Sequence, residues 1–246
     1  ISFVRDFNKT QGNFSKSYDS AFEFNTDVYL NYERSLTDDI NISSTMGASN
    51  LYRSNTSSTV STNGLNVPDF YNLANTKNAL TGNNSDAESR ISSAYATVDI
   101  DLLNSIYLGF TGRNDWVTTL PQENNSFFYP SVSLSYVASK MFELPDVISN
   151  LRLRGSWAEV SNASYGGTYS HLQSYDSGIN WQNNASLTFP GNLISPNLNP
   201  ETSSAFEGGL VLGLLDNRLS FDTNFVFVRN FNNLTNAPIS VASGFS

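Results

Sequence analysis

Cysteine is absent from the chain and histidine occurs once, as His171. Without a thiol there is no disulfide scaffold, no Cys-ligated zinc and no Cys nucleophile. A Ser-His-Asp triad or a His-rich metal site would have to be built around one imidazole, and neither a GxSxG elbow nor an HExxH helix is present. No enzymatic activity, metal or cofactor is therefore expected, and His171 reads as an exposed loop residue. Charge is scarce as well: 14% of residues are Asp, Glu, Lys or Arg, with a net −9 and a pI near 4.5. That balance excludes nucleic acid as a partner, because a binder needs a basic stripe to displace counterions from phosphates. No run approaches about 18 apolar residues, so there is no transmembrane helix. Residues 1–17 carry no signal-peptide hydrophobic region, and the chain is expected to begin after its targeting signal.

What is present is aromatic and amide-rich. Aromatics make up 13% of the chain and hydrophobic residues 39%, while the polarity comes from Asn, Ser and Thr rather than Lys and Glu. These residues alternate. Phe22, Phe24, Thr26, Val28, Leu30 and Tyr32 fall on one face of an extended chain, and Ala21, Glu23, Asn25, Asp27, Asn31 and Glu33 on the other. A turn at residues 36–39 leads to Ile40, Ile42, Ser44 and Met46, giving a hairpin. The alternation vanishes from Asn50 to Glu88, which reads as a long polar loop, and returns over residues 93–102 and 106–113 around a turn at Leu103-Asn104. The Asn, Asp and Pro around Trp116 read as a second long loop, ending at Tyr129-Pro130. Val132, Leu134 and Tyr136 then alternate with serines. Residues 140–150 form a medium connection with a short helical turn, residues 151–158 a strand, and residues 161–200 a third long polar loop. A last strand pair covers residues 206–214 and 219–228, turning at Asp216-Asn217.

About eight strands of roughly ten residues, joined by alternately short and long connections, have the rhythm of a transmembrane β-barrel. A soluble sandwich would carry a dense aliphatic inner face and a Lys/Glu-rich outer one. Here the second face is Ser, Asn, Asp, Gly and Tyr, which suits a wet lumen, with the aromatic face toward lipid. In a bilayer all backbone polar groups must be paired, so such strands belong to a closed barrel. The expected fold is all-β: an antiparallel transmembrane β-barrel segment with long extracellular loops. A complete small barrel of eight strands is also compatible with the count.

The stretch GRNDWVTTLP at 112–121, followed by SFFYPSVSLSYV at 126–137, resembles a signature of the SusC/RagA-like TonB-dependent transporters of the Bacteroidetes outer membrane. LRLRGSWAEVSN at 151–162, SPNLNPETSSAFEGGL at 195–210 and LLDNRLSFDTNFV at 214–226 fit in the same order. The PNLxPE-type motif also occurs in siderophore and cobalamin receptors. Ser161 stands where relatives often have Gly, and Asn199 where Lys is common. The resemblance implies a barrel of about 22 strands around an N-terminal plug. Residues 1–246 would then be an internal portion of that barrel, with plug and remaining strands outside this chain. It further implies localisation in the outer membrane of a Gram-negative, Bacteroidetes-like bacterium. The implied activity is TonB-energised import of oligosaccharides or peptides with a SusD-like surface lipoprotein, as a dimer of SusC–SusD pairs.

Two groups of side chains carry the functional expectations. In the loop 161–200, Tyr165, Tyr169, His171, Tyr175 and Trp181 stand among amides and hydroxyls. Flat aromatics beside amides suit stacking on sugar rings or gripping a peptide, contact with a lipoprotein lid, or packing within the loop. On the polar strand faces, Glu23 with Asp27 and Asp99 with Asp101 are paired carboxylates, a pattern also used by glycosidases and calcium sites; they read here as solvated lumen acids. Arg152 and Arg154 are expected to pair with plug or lumen acids. The alternatives are another TonB-dependent receptor, for a siderophore or cobalamin, and a soluble secreted carbohydrate-binding β protein.

Overall fold

A computed structural model describes residues 2–4, 12–162, 168–179, 182, 184–195, 198–240 and 242. In chain order the strands are β1 (Ser2–Val4), β2 (Asn13–Thr37), β3 (Ile40–Leu65), β4 (Thr76–Leu102), β5 (Ile106–Val117), β6 (Ser126–Val137), β7 (Ile148–Asn162), β8 (Asp176–Ser177), β9 (Leu187–Thr188), β10 (Glu201–Leu214) and β11 (Leu219–Phe231). They form an antiparallel sheet in the order β1-β2-β3-β4-β5-β6-β7-β10-β11, and β8 pairs with β9 apart from it. The all-β expectation holds. Two compact units are distinguished, Ile1–Phe24 with Leu51–Ser89, and Asn25–Asn50 with Arg90–Ser246.

The first unit corrects the expectation of a loop from Asn50 to Glu88. Most of that span is strand, since β3 runs on to Leu65 and β4 starts at Thr76. Alternation is visible in a sequence only when the two faces of a strand meet different solvents; here Ser, Thr and Asn occupy both. Cross-strand polar pairs replace apolar contacts: Ser15 Oγ lies 2.8 Å from Ser61 Oγ, Ser17 Oγ 2.8 Å from Thr59 Oγ1, Ser57 Oγ donates to Asp19 Oδ1 at 2.6 Å, and Ser58 Oγ donates to Asn84 Oδ1 at 2.8 Å. Strands β2 to β4 are accordingly 25, 26 and 27 residues long rather than about ten. The connection between β3 and β4 is organised by buried Asn75, whose amide donates to the carbonyls of Val67 and Phe70 and accepts from Val67 N–H.

In the second unit the hairpin turns lie where the sequence places them. Leu103 and Asn104 have φ of 55° and 50°, and Asp216 and Asn217 have 55° and 59°, the left-handed backbone of tight hairpins. A short 3-10 turn at Ala138–Lys140 opens the connection to β7. The stretch around Trp116 is a second correction. β5 continues through Trp116 to Val117 and β6 already begins at Ser126, so only residues 118–125 connect them. Trp116 extends the apolar face of Ile106, Leu108 and Phe110, while the neighbouring Asp115 is buried and satisfied by Arg113 and Tyr129 instead of forming a turn. Nor is Tyr129-Pro130 a boundary: β6 runs through it, paired Gly112↔Pro130 with β5.

The apolar face is not covered. Among the described residues only Leu65, Val117, Leu120, Val137, Ala138 and Leu198 are buried hydrophobics, whereas Phe206 is 52% exposed and Phe225 65%. Phe110, Leu134, Leu153, Trp157 and Phe227 share that exposure. A water-soluble β domain would bury this face against a second sheet.

Candidate functional site

The opposite, polar face of the second unit is concave. Two rows of residues cross six strands at constant register. The first is Asp99, Gly109, Ser133, Ser156, Glu207 and Val226; the second is Asp101, Tyr107, Ser135, Arg154, Gly209 and Asn224. Together with Glu33, Ser35, Asn41 and Ser43 they line a concavity of about 890 Å³. The alternation read from the sequence therefore sorts these strands into one wet face and one apolar face.

Of the expected polar-face residues, Asp99, Asp101 and Arg154 come together in this concavity. Arg154 Nη2 donates to Asp222 Oδ1 at 2.6 Å and to Asn224 Oδ1 at 3.0 Å. A Cβ on Gly209 would stand 2.5 Å from Asn224 Oδ1 and 3.2 Å from Arg154 Nε, so the bare backbone of β10 lets the guanidinium reach β11. Asp101 Oδ1 is sealed from solvent with no hydrogen-bond partner among the described residues. Arg152 sits opposite Val137 and Val211, outside the concavity's lining. Glu23 belongs to the first unit and is held by Arg53 Nε at 2.7 Å, with both side chains half exposed. Asp27 is exposed on β2.

The loop aromatics are less united. Tyr165 and Trp181 lie outside the described residues. Tyr169 holds a turn with φ of 66°, its carbonyl accepting from Leu172 N–H at 2.9 Å. His171 differs from expectation: it is partly buried, and its Nδ1 is sealed without a partner among the described residues. Tyr175 meets Phe189 edge to face at 5.3 Å across the β8–β9 hairpin, and both are exposed. Gln173 braces the loop by donating to Asn192 O and accepting from Ile194 N–H.

Sequence reasoning did not single out Glu33, Glu207, Asp222, Asn224 or Phe189. The signal for the first four was their parity with the polar face; for Phe189 there was none, because the hairpin that brings it to Tyr175 has no periodicity to read.

Comparison with known proteins agrees with this geometry. A family model described as TonB dependent receptor-like, beta-barrel, matches residues 2–244. TonB-dependent receptor P3 of Formosa agariphila is 26% identical over 166 residues, covering 65% of this chain and 16% of that receptor. TonB-dependent receptor P26 of the same organism is 24% identical over 184 residues, covering 72% of this chain and 18% of the receptor. In fold, the chain is similar to a structure of the RagAB peptide transporter, with a TM-score of 0.81 and 21% identity over 96% of this chain and 26% of that one. It is similar to the RagAB peptide importer in its closed-closed state with the same TM-score of 0.81 and 22% identity. The chain thus spans less than a fifth of either receptor and about a quarter of the matched transporter chains. The SusC/RagA-like resemblance of the motifs and the fold match point the same way.

Proposed function

The chain belongs to the TonB-dependent receptor-like β-barrel family, and on that premise we propose that it forms part of the barrel wall of an outer-membrane importer energised through TonB. The observation that carries this reading is the two-faced wall of the second unit. Phe110, Leu134, Leu153, Phe206 and Phe225 stand exposed on one side, and the concavity of Asp99, Asp101, Arg154 and Glu207 lies on the other. A lipid bilayer is the solvent that accepts the first face, and a water-filled lumen the one that accepts the second. A soluble carbohydrate-binding protein would leave the aromatic face in water, which disfavours that class.

The finer reading has a barrel of about 22 strands with a plug, in the outer membrane of a Bacteroidetes-like bacterium. A SusD-like lipoprotein covers the extracellular mouth, and SusC–SusD pairs dimerise. Cargo is an oligosaccharide or a peptide; RagAB, similar in fold, is a peptide importer. Cargo would bind between lid and loops, near Tyr169, His171 and Tyr175, and pass the lumen acids Asp99 and Asp101 and the arginines Arg152 and Arg154 once TonB displaces the plug.

The test is uptake of fluorescent oligopeptides and oligosaccharides by cells expressing the full-length protein, with and without a functional TonB, alongside purification from the outer membrane in mild detergent. TonB-dependent uptake and a copurifying lipoprotein support the proposal. Uptake indifferent to TonB, or a full-length protein that stays monodisperse without detergent, overturns it.

A further inference from the structure

Three of the stretches that carry the resemblance, GRNDWVTTLP, SFFYP and PNLNPE, place none of their most buried described residues in the concavity. They meet elsewhere. The pairing of β6 with β7 starts at Ser131↔Ala158, immediately after Pro130. Pro130 has no N–H to give, and beyond it β6 keeps only β5, down to Trp116↔Ser126, while β7 keeps only β10, up to Asn162↔Glu201. Over this stretch, where β6 and β7 are no longer paired with each other, apolar side chains pack. Val117 of β5, Leu120 of the β5–β6 connection and Leu198 of the PNLNPE segment form a buried cluster against Ile91, Phe127, Ile194 and Leu234.

Polar contacts tie the same elements. Asn124 Nδ2 donates to Leu198 O at 3.2 Å, and Leu234 N–H donates to Glu201 Oε1 at 3.0 Å. Next to the cluster, Asp115 accepts from Arg113 Nε at 2.8 Å and from the Tyr129 hydroxyl, and Arg113 Nη2 donates to Ser93 Oγ at 2.7 Å. Farther along the loop 163–200 the β8–β9 hairpin carries exposed side chains. Tyr175 and Phe189 contact one another and are exposed, and Ile179 is 91% exposed.

We infer that Leu198 and Asn124 are positioning residues: they moor the base of the loop 163–200 to the β5–β6 connection, so that the two connections move as one body and the aromatic hairpin projects from a fixed footing. Val117 and Leu120 of the GRNDWVTTLP stretch, Phe127 of FFYP and Leu198 of the PNLNPE segment supply this mooring. The inference rests on the proposed function only in taking this loop to face the cargo side; the mooring itself is independent of import.

The experiment measures spin-label distances in the detergent-purified full-length protein, with labels at Gln122→Cys and Asn192→Cys, both exposed, and any other accessible cysteine replaced. This chain contributes none. No cargo or TonB is present, so a failure of the import reading leaves the result untouched. The expected result is a single narrow distance distribution, lost to a broad one in Leu198→Ala and kept in Leu193→Ala, whose side chain is exposed. Heat-modifiable migration in gels checks that each barrel is assembled. If Leu198→Ala does not assemble, Asn124→Ala, which removes one hydrogen bond and no apolar packing, is expected to broaden the same distribution. A broad distribution in the parent protein, or a narrow one in an assembled Leu198→Ala or Asn124→Ala variant, overturns the inference.

Discussion

Arg154 of β7 reaches Asp222 of β11 at 2.6 Å across the intervening strand β10, over the Cα of Gly209. Both side chains are substantially exposed, 39% and 54%, so solvent screens the pair, and a double-mutant cycle of Arg154→Ala with Asp222→Asn is expected to give a coupling of about 0.2–1 kcal/mol. Gly209→Val should abolish that coupling without touching either charge, because its Cβ takes the space the guanidinium and Asn224 now use. Urea unfolding of the full-length barrel in lipid vesicles measures both. An undiminished coupling in the Gly209→Val background would show that the arginine reaches Asp222 by another route.

The Arg154–Asp222 contact also marks how far the sequence can be read. That Arg154 lies on the wet face follows from alternation alone, because its strand separates two solvents. Its partner does not follow, since Asp222 is two strands away and only the register of β7, β10 and β11 brings the two together. The span from Asn50 to Glu88 is illegible for the opposite reason: hydroxyl and amide side chains, such as the neighbours Ser58 and Thr59, occupy both faces of these strands, so no alternation of apolar with polar marks them as strands. Around Trp116 the misreading has a third cause. Asn114 and Asp115 have the composition of a turn, but the buried bonds from Arg113 and Tyr129 to Asp115 are tertiary and leave no mark on local propensity. The motif residues are recognisable one by one, and their convergence on Leu198 is not.

The two faces of the wall should tolerate charge differently. Leu134 stands on the exposed apolar face and Ser156 on the concave one, opposite Glu207. Leu134→Arg is expected to destabilise the full-length barrel by roughly 2–4 kcal/mol if it lies near the bilayer midplane, whereas Ser156→Arg, in water and beside a carboxylate, should cost less than about 1 kcal/mol. Unfolding in vesicles of defined lipid compares them. Equal costs would mean that the apolar face meets something other than lipid.

Asp115 is 8% exposed and accepts from both Arg113 and Tyr129. Tyr129→Phe removes one donor and should cost about 1 kcal/mol. Asp115→Ala strips the acceptor from two donors at once and should cost roughly 1–3 kcal/mol, moderated because Arg113 is 41% exposed and can turn to water. Asp115→Asn should fall between the two. Thermal melts of the assembled protein order the three variants, and a loss for Tyr129→Phe as large as that for Asp115→Ala would place the weight of the network on the phenol.

Asn75 is the residue on which the β3–β4 connection closes. At 6% exposure its side chain makes three bonds, donating to Val67 O at 2.8 Å and Phe70 O at 2.7 Å and accepting from Val67 N–H at 3.0 Å. Those partners span the turn whose tip carries the exposed Phe70 and Tyr71. Asn75→Ala leaves the groups unpaired, at a cost of about 1–3 kcal/mol for burying unsatisfied polar atoms. Because the turn can open without unpairing the strands, the loss should be local. Hydrogen exchange over residues 66–75 is expected to quicken by roughly ten-fold or more while β5 to β7 keep their protection, and chymotrypsin should gain a cut at Phe70 or Tyr71. Asn75→Asp retains the acceptor but faces two carbonyls with a carboxylate, so it should open the turn at least as far as alanine does. An aspartate variant with native exchange would mean that the Val67 N–H bond alone holds the turn.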